Sequence, residues 1–277
     1  MIEHNFQIFP SVGIKTEQKL RMAKIHTWQD VLQKPQPVSI SRSIWERMKR
    51  LIPQFQQACQ NFDIRAINQF ISSDFHWQLI PNFLGKIAYL DIETTGLSFP
   101  SSHITTIAVY DGEKVHDFVR HKNLGDFPAF IFQFPAIATF YGKGFDVPFI
   151  QSEMGIKLPQ VHFDLCFLLR RIGLRGGLKK IEKKVGLIRE ETDGVDGYTA
   201  VILWRKYRKT QDLRYLETLL AYNNDDVINL EFLLYYAYNQ LILRENIQIS
   251  ELILPKKAIP QPYHASREIV REVTRFK

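Results

Sequence analysis

The sequence predicts an α/β fold, a mixed sheet flanked by helices behind a small helical domain, and three observations carry that expectation. Apolar residues recur at helical spacing through residues 1–80, and from Lys86 short β-branched runs alternate with turn signals. A long closing helix then carries an acidic residue on its apolar side.

In the first region Thr16 to Ala23 reads as a short helix carrying Leu20. Ser39 or Ser41 can cap a longer one from about Ser43 to Phe62, where Ile44, Met48, Leu51, Ile52 and Phe55 repeat at helical spacing. A further helix covers roughly Ile64 to Ile71.

Lys86 to Leu90 reads as a buried strand with Asp91 and Glu93 at its end, pointing to one side because strand side chains alternate faces. His103 to Tyr110 and Lys114 to Arg120 follow, joined across Asp111-Gly112, a hairpin signal that makes three consecutive antiparallel strands. Ala136 to Tyr141 is a buried strand ended by Gly142-Lys143-Gly144, and a helix begins near Phe145 with Pro148 in its first turn. Asp146 sits at that junction, where helix capping alone would account for it.

Val161 to Leu165 is the last predicted strand. It leads into a basic segment whose glycines Gly173, Gly176 and Gly177 separate two short helices. Thr199 to Tyr207 is helical, and a final helix runs from about Leu213 to Leu241, with room for a break. Its inward stripe holds Leu219, Tyr222, Asp226, Leu230 and Leu233, while Asp225 faces elsewhere.

The composition bounds the function. Of 277 residues, 45% are hydrophobic and 23% charged, as in a globular protein, with no apolar run long enough to cross a bilayer. The start, Met1 to Asn5, lacks the basic and apolar regions of a signal peptide, so a cytoplasmic location and no membrane partner are expected. Cys59 and Cys166 have no partner spacing for a disulfide framework or a zinc site, and both are expected to be small core residues.

The net charge is +7, and the stretch from Leu168 to Arg189 alone holds Arg170, Arg171, Arg175, Lys179, Lys180, Lys183, Lys184 and Arg189 against Glu182. Such clustering points to phosphate contact. Residues 246–277 read as a basic tail that orders on a partner, with Lys256, Lys257, Arg267, Arg271, Arg275 and Lys277 outweighing Glu268 and Glu272.

On a mixed sheet Asp91, Glu93, Asp146 and Asp226 can converge at one end. Four carboxylates in one cleft stay ionised only if cations neutralise them, and oxygen ligands favour magnesium or manganese. Two such ions serve in-line displacement at phosphorus. Tyr222, one turn before Asp226, would hold the attacking water through its hydroxyl.

Three stretches resemble the three exonuclease motifs of the DEDD 3′–5′ exonuclease superfamily, whose fold is ribonuclease H-like: Asp91-Ile92-Glu93-Thr94-Thr95-Gly96, Gly142-Lys143-Gly144-Phe145-Asp146, and Tyr222-Asn223-Asn224-Asp225-Asp226. The Tyr-x-x-x-Asp form of the third is similar to the tyrosine (DEDDy) branch. With Phe163-Asp164-Leu165, Gly177 to Glu182 and Gly197-Tyr198, the likeness covers roughly residues 86–241 and is nearest to the YprB-like proteins.

The resemblance implies that Asp91 bridges two metal ions, that Glu93 and Asp226 hold the ion carrying the nucleophilic water, and that Asp146 serves the second. It also implies that Thr94, Thr95, Gly96 and Leu97 lie along the terminal nucleotide of a DNA or RNA 3′ end, with Lys143, Arg175, Lys179 and Lys180 as further nucleic-acid contacts. Tyr141 stands where that family commonly has Asn. Many YprB-like members have His at the position of Tyr222.

Phe9 to Leu20, followed by Ile25 to Trp28, resembles the hairpin and second helix of a helix-hairpin-helix motif, with Ser11 in place of the first hairpin glycine; a structural turn and a phosphate clamp both fit it. The expected domains are therefore a helical one at 1–80, a ribonuclease H-like exonuclease domain at 86–245 and the tail at 246–277. A non-catalytic nucleic-acid-binding module and a structure-specific endonuclease are the alternatives.

Overall fold

The computed structural model describes residues 1–275 apart from 159, 190, 246, 248 and 256–260. The chain forms two compact units, Met1–Leu84 and Gly85–Lys277.

The first unit is helical: α1 (Ile14–Met22), α2 (Trp28–Gln33), α3 (Arg42–Gln60), α4 (Ile64–Phe70), a 3-10 helix at Ser73–Leu79, and α5 (Ile80–Phe83). Its core is aromatic. Trp28 packs edge-to-face on Phe9 and Phe55, Phe55 packs on Phe70, and the Trp28 indole N–H donates to the Asn5 carbonyl at 2.9 Å. α1 begins directly after Gly13, and Ser11 takes a left-handed φ of 68°. α2, too short for a periodicity signal, is stabilised by a Thr27–Asp30 capping box.

The second unit is built on a five-stranded sheet in the order β3-β2-β1-β4-β5, comprising β1 (Ile87–Thr94), β2 (Ile104–Tyr110), β3 (Val115–Val119), β4 (Ala136–Thr139) and β5 (Val161–Asp164). β1 pairs antiparallel with β2 and parallel with β4, so the sheet is mixed, as expected. β1 runs past Leu90 because Asp91 and Glu93 pair with Ala108 and Thr106, and the register slips only after Glu93. The acidic pair thus lies within the strand rather than beyond its end.

The remaining helices are α6 (Phe127–Ile131), α7 (Asp146–Met154), α8 (Leu165–Arg171), α9 (Leu178–Lys184), α10 (Gly197–Thr210), α11 (Leu213–Arg244) and α12 (Arg267–Thr274). Alternation along β1 assigns its two faces. Ala88, Leu90 and Ile92 pack with Phe127 and Ile131 of α6 and Phe149 and Ile150 of α7. The opposite face meets α11, where the Asn223 amide donates to Asp91.

α11 is continuous, without the break for which the sequence left room. The tail expectation needs a larger correction: residues 267–274 form α12, whose Ile269 and Val273 are buried against α10 and α11. In the sequence Ile269 and Val273 form an apolar face at helical spacing among the basic residues. Lys256, Lys257 and Lys277 lie outside the described residues. Among the described residues no helix is long and apolar enough to cross a membrane.

Candidate active site

Three segments distant in the chain deliver the acidic side chains. β1 presents Asp91 and Glu93 toward α11, α11 presents Asp226 one turn after Tyr222, and Asp146 opens α7 after the turn that ends β4. All five side chains line one cavity of about 710 Å³. Oxygens of Asp91, Glu93 and Asp226 lie within 4.8 Å of one another. Asp146 is buried beside them and accepts the Ile92 N–H at 3.2 Å.

Burial raises the pKa of every one of these carboxyl groups, and mutual repulsion adds to it. Asp91 and Glu93 are held well above the carboxylate range by desolvation and then by Asp226 and Asp146. Asp146 is pushed up to about 7, again chiefly by burial. Asp226 is raised by burial against the opposing pull of Arg189. A close, buried, all-oxygen donor set of this kind fits a hard divalent cation, which would offset the repulsion.

Two cations of the chain already serve this cluster. Arg189 donates to both carboxylate oxygens of Glu182, at 2.8 and 2.7 Å, and also to Asp226. This corrects its expected role, because Arg189 is buried among internal partners rather than offered to phosphate. The Lys179 ammonium sits 4.4 Å from the centre of the Tyr222 ring, buried and with no hydrogen-bond partner among the described residues. Desolvation and the nearby Arg189 lower its pKa. Burial and the surrounding carboxylates keep Tyr222 protonated.

The other expected contacts divide. Thr94, Gly96, Leu97, Lys179 and Lys180 line the cavity, and Leu97 is 88% exposed. Thr95 does not; its hydroxyl accepts the His103 N–H at 2.9 Å. Lys143 and Arg175 are exposed outside the lining. Cys166, expected in the core, is partly exposed and lines the cavity. In the N-terminal unit the hairpin borders a separate cavity of about 730 Å³, with no titratable side chain in its lining.

Residues 88–238 match the family model of the RNase H superfamily. The chain belongs to the RNase H superfamily. The mixed sheet with helices on both faces is the fold of that superfamily, and membership points to a nuclease-type hydrolase acting on nucleic acid. No curated protein and no solved structure matches the chain.

Within this superfamily fold, two side chains that sequence reasoning missed support the acidic cluster. Asn223 donates to Asp91 at 2.7 Å and accepts from the Thr106 hydroxyl at 3.0 Å, tying β1, β2 and α11 together. Asp164 accepts from the Tyr141 and Lys143 N–H groups at 3.0 and 2.9 Å, which anchors the turn before Asp146. A signal for the first was present: Asn223-Asn224-Asp225-Asp226 is a run of four polar residues between apolar stretches of one helix, too wide to face water on one side alone.

Proposed function

We propose that the protein is a metal-dependent 3′–5′ exonuclease that hydrolyses phosphodiester bonds at single-stranded DNA or RNA ends with magnesium or manganese. The observation that carries this reading is the meeting of Asp91, Glu93, Asp146, Asp226 and Tyr222 in one cavity. In this reading Asp91, Glu93, Asp146 and Asp226 would hold the divalent cations. When bound, such ions activate a water and stabilise the leaving oxygen of an in-line displacement.

The chain's own groups do the rest. The Tyr222 hydroxyl, kept protonated by its surroundings, orients the attacking water. Lys179, a buried ammonium beside the carboxylates, meets the charge of the scissile phosphate. Thr94 to Leu97 run along the terminal nucleotide.

One observation favours a non-catalytic nucleic-acid-binding module instead: Arg189 gives Asp226 a permanent cationic partner. End-labelled oligonucleotides separate the readings. Stepwise shortening from the 3′ end with manganese, absent with chelator and in Asp91→Ala, is expected of the exonuclease. Retention without shortening would favour the binder, and cleavage of an oligonucleotide circle an endonuclease.

A further inference from the structure

The turn after β4 holds an aromatic ring in a costly conformation at the edge of the cavity. Tyr141 has φ 66°, a left-handed backbone uncommon for a bulky residue, yet its side chain is 50% exposed. Burial is therefore not what selects a tyrosine here.

The conformation is nonetheless firmly set. The Tyr141 N–H donates to Asp164, the Gly144 N–H donates back to the Tyr141 carbonyl at 3.0 Å, and Gly142 donates to the Thr139 hydroxyl at 3.1 Å. The ring runs over the backbone at Gly144 so closely that a Cβ there would lie 2.6 Å from its Cζ. Glycine at 144 thus makes room for the ring. The same ring lines the cavity alongside Asp91, Glu93 and Asp146, as does the exposed Leu97. A pinned, wet aromatic next to buried carboxylates is what a nucleobase stacks on, since every base offers a π-face.

We propose that Tyr141 is the platform on which the terminal base of the substrate strand stacks, so that the site selects ends whose last base is unpaired. A paired base is enclosed in its duplex and cannot be splayed onto a ring beside the carboxylates. This rests on the nuclease reading for the identity of the strand end.

The test reads binding without hydrolysis. Fluorescence anisotropy in chelator compares a single-stranded oligonucleotide with the same strand ending in a 3′ abasic site. The wild type is expected to bind the base-bearing end about 5- to 150-fold more tightly, the range of one base stacked on an aromatic side chain. Tyr141→Asn, which tolerates a left-handed backbone, loses that preference; Tyr141→Phe and Tyr141→Trp keep it.

Tyr141→Gly serves as a second ringless variant should the Asn variant not fold, as judged by thermal unfolding. Undiminished preference in a folded ringless variant overturns the proposal, and so does its loss in Tyr141→Phe. Because no cleavage is required, a failure at Tyr141 leaves the exonuclease reading standing. A base preference in a protein that never shortens its substrate removes that reading and leaves the stacking site.

Discussion

Arg189 and Asp226 form a buried ion pair between the loop after α9 and the middle of α11, and the same guanidinium is forked onto Glu182. One cation therefore holds two buried carboxylates, one of them in the candidate metal cluster. Removing it leaves both uncompensated, which for buried pairs costs about 3–5 kcal/mol. Arg189→Gln is expected to lose that much stability in urea unfolding with chelator present, and added manganese is expected to restore more stability to the variant than it adds to the wild type.

Without divalent cations the folded protein holds protons on Asp91, Glu93 and Asp146 at pH values where the unfolded chain has released them. Stability then falls as pH rises from the ordinary carboxylate range, about 4, through the folded value of about 7 given for Asp146. The melting temperature in chelator is expected to decrease from pH 5 to pH 8, and manganese to flatten that slope. A melting temperature that rises over this range in chelator would contradict the electrostatic account of the site.

Asn223 donates to the Asp91 oxygen that faces α11. Truncating such an outer partner typically weakens metal binding about 10- to 100-fold. Asn223→Ala is expected to show that loss in manganese titration calorimetry, whereas Asn223→Asp adds a like charge and is expected to do worse.

A Cβ at Gly142 would lie 2.6 Å from the Cβ of Thr139, a fully buried residue at the end of β4. Gly142→Ala must push the turn off the strand, an overpacking cost of about 1–3 kcal/mol. Around Gly125 nothing lies within 4 Å of an added Cβ, so Gly125→Ala serves as the near-neutral control in the same thermal unfolding series.

The five strands and the main helices of the second unit were legible because each declares itself within a few residues. The Asp111-Gly112 hairpin, the Gly-Lys-Gly break before Asp146 and the apolar stripe around Asp226 are all local patterns. The candidate cluster was legible for a related reason: a carboxylate within an apolar run calls for a compensating charge. Part of that charge comes from Arg189, which lies among basic neighbours in the sequence and carries no local sign that it turns inward.

The sequence by itself determined the alternation of strand and helix and the acidic and tyrosine side chains that can meet at one end of the sheet, since periodicity and turn chemistry act over short distances. Only the tertiary structure decided that Arg189 turns inward to Asp226, that Asn223 grips Asp91, that α12 docks instead of trailing as a basic tail, and that Tyr141 takes a left-handed backbone at the cavity's edge. Those outcomes depend on partners tens of residues away, and a charge or an amide takes its burial from whichever helix packs over it.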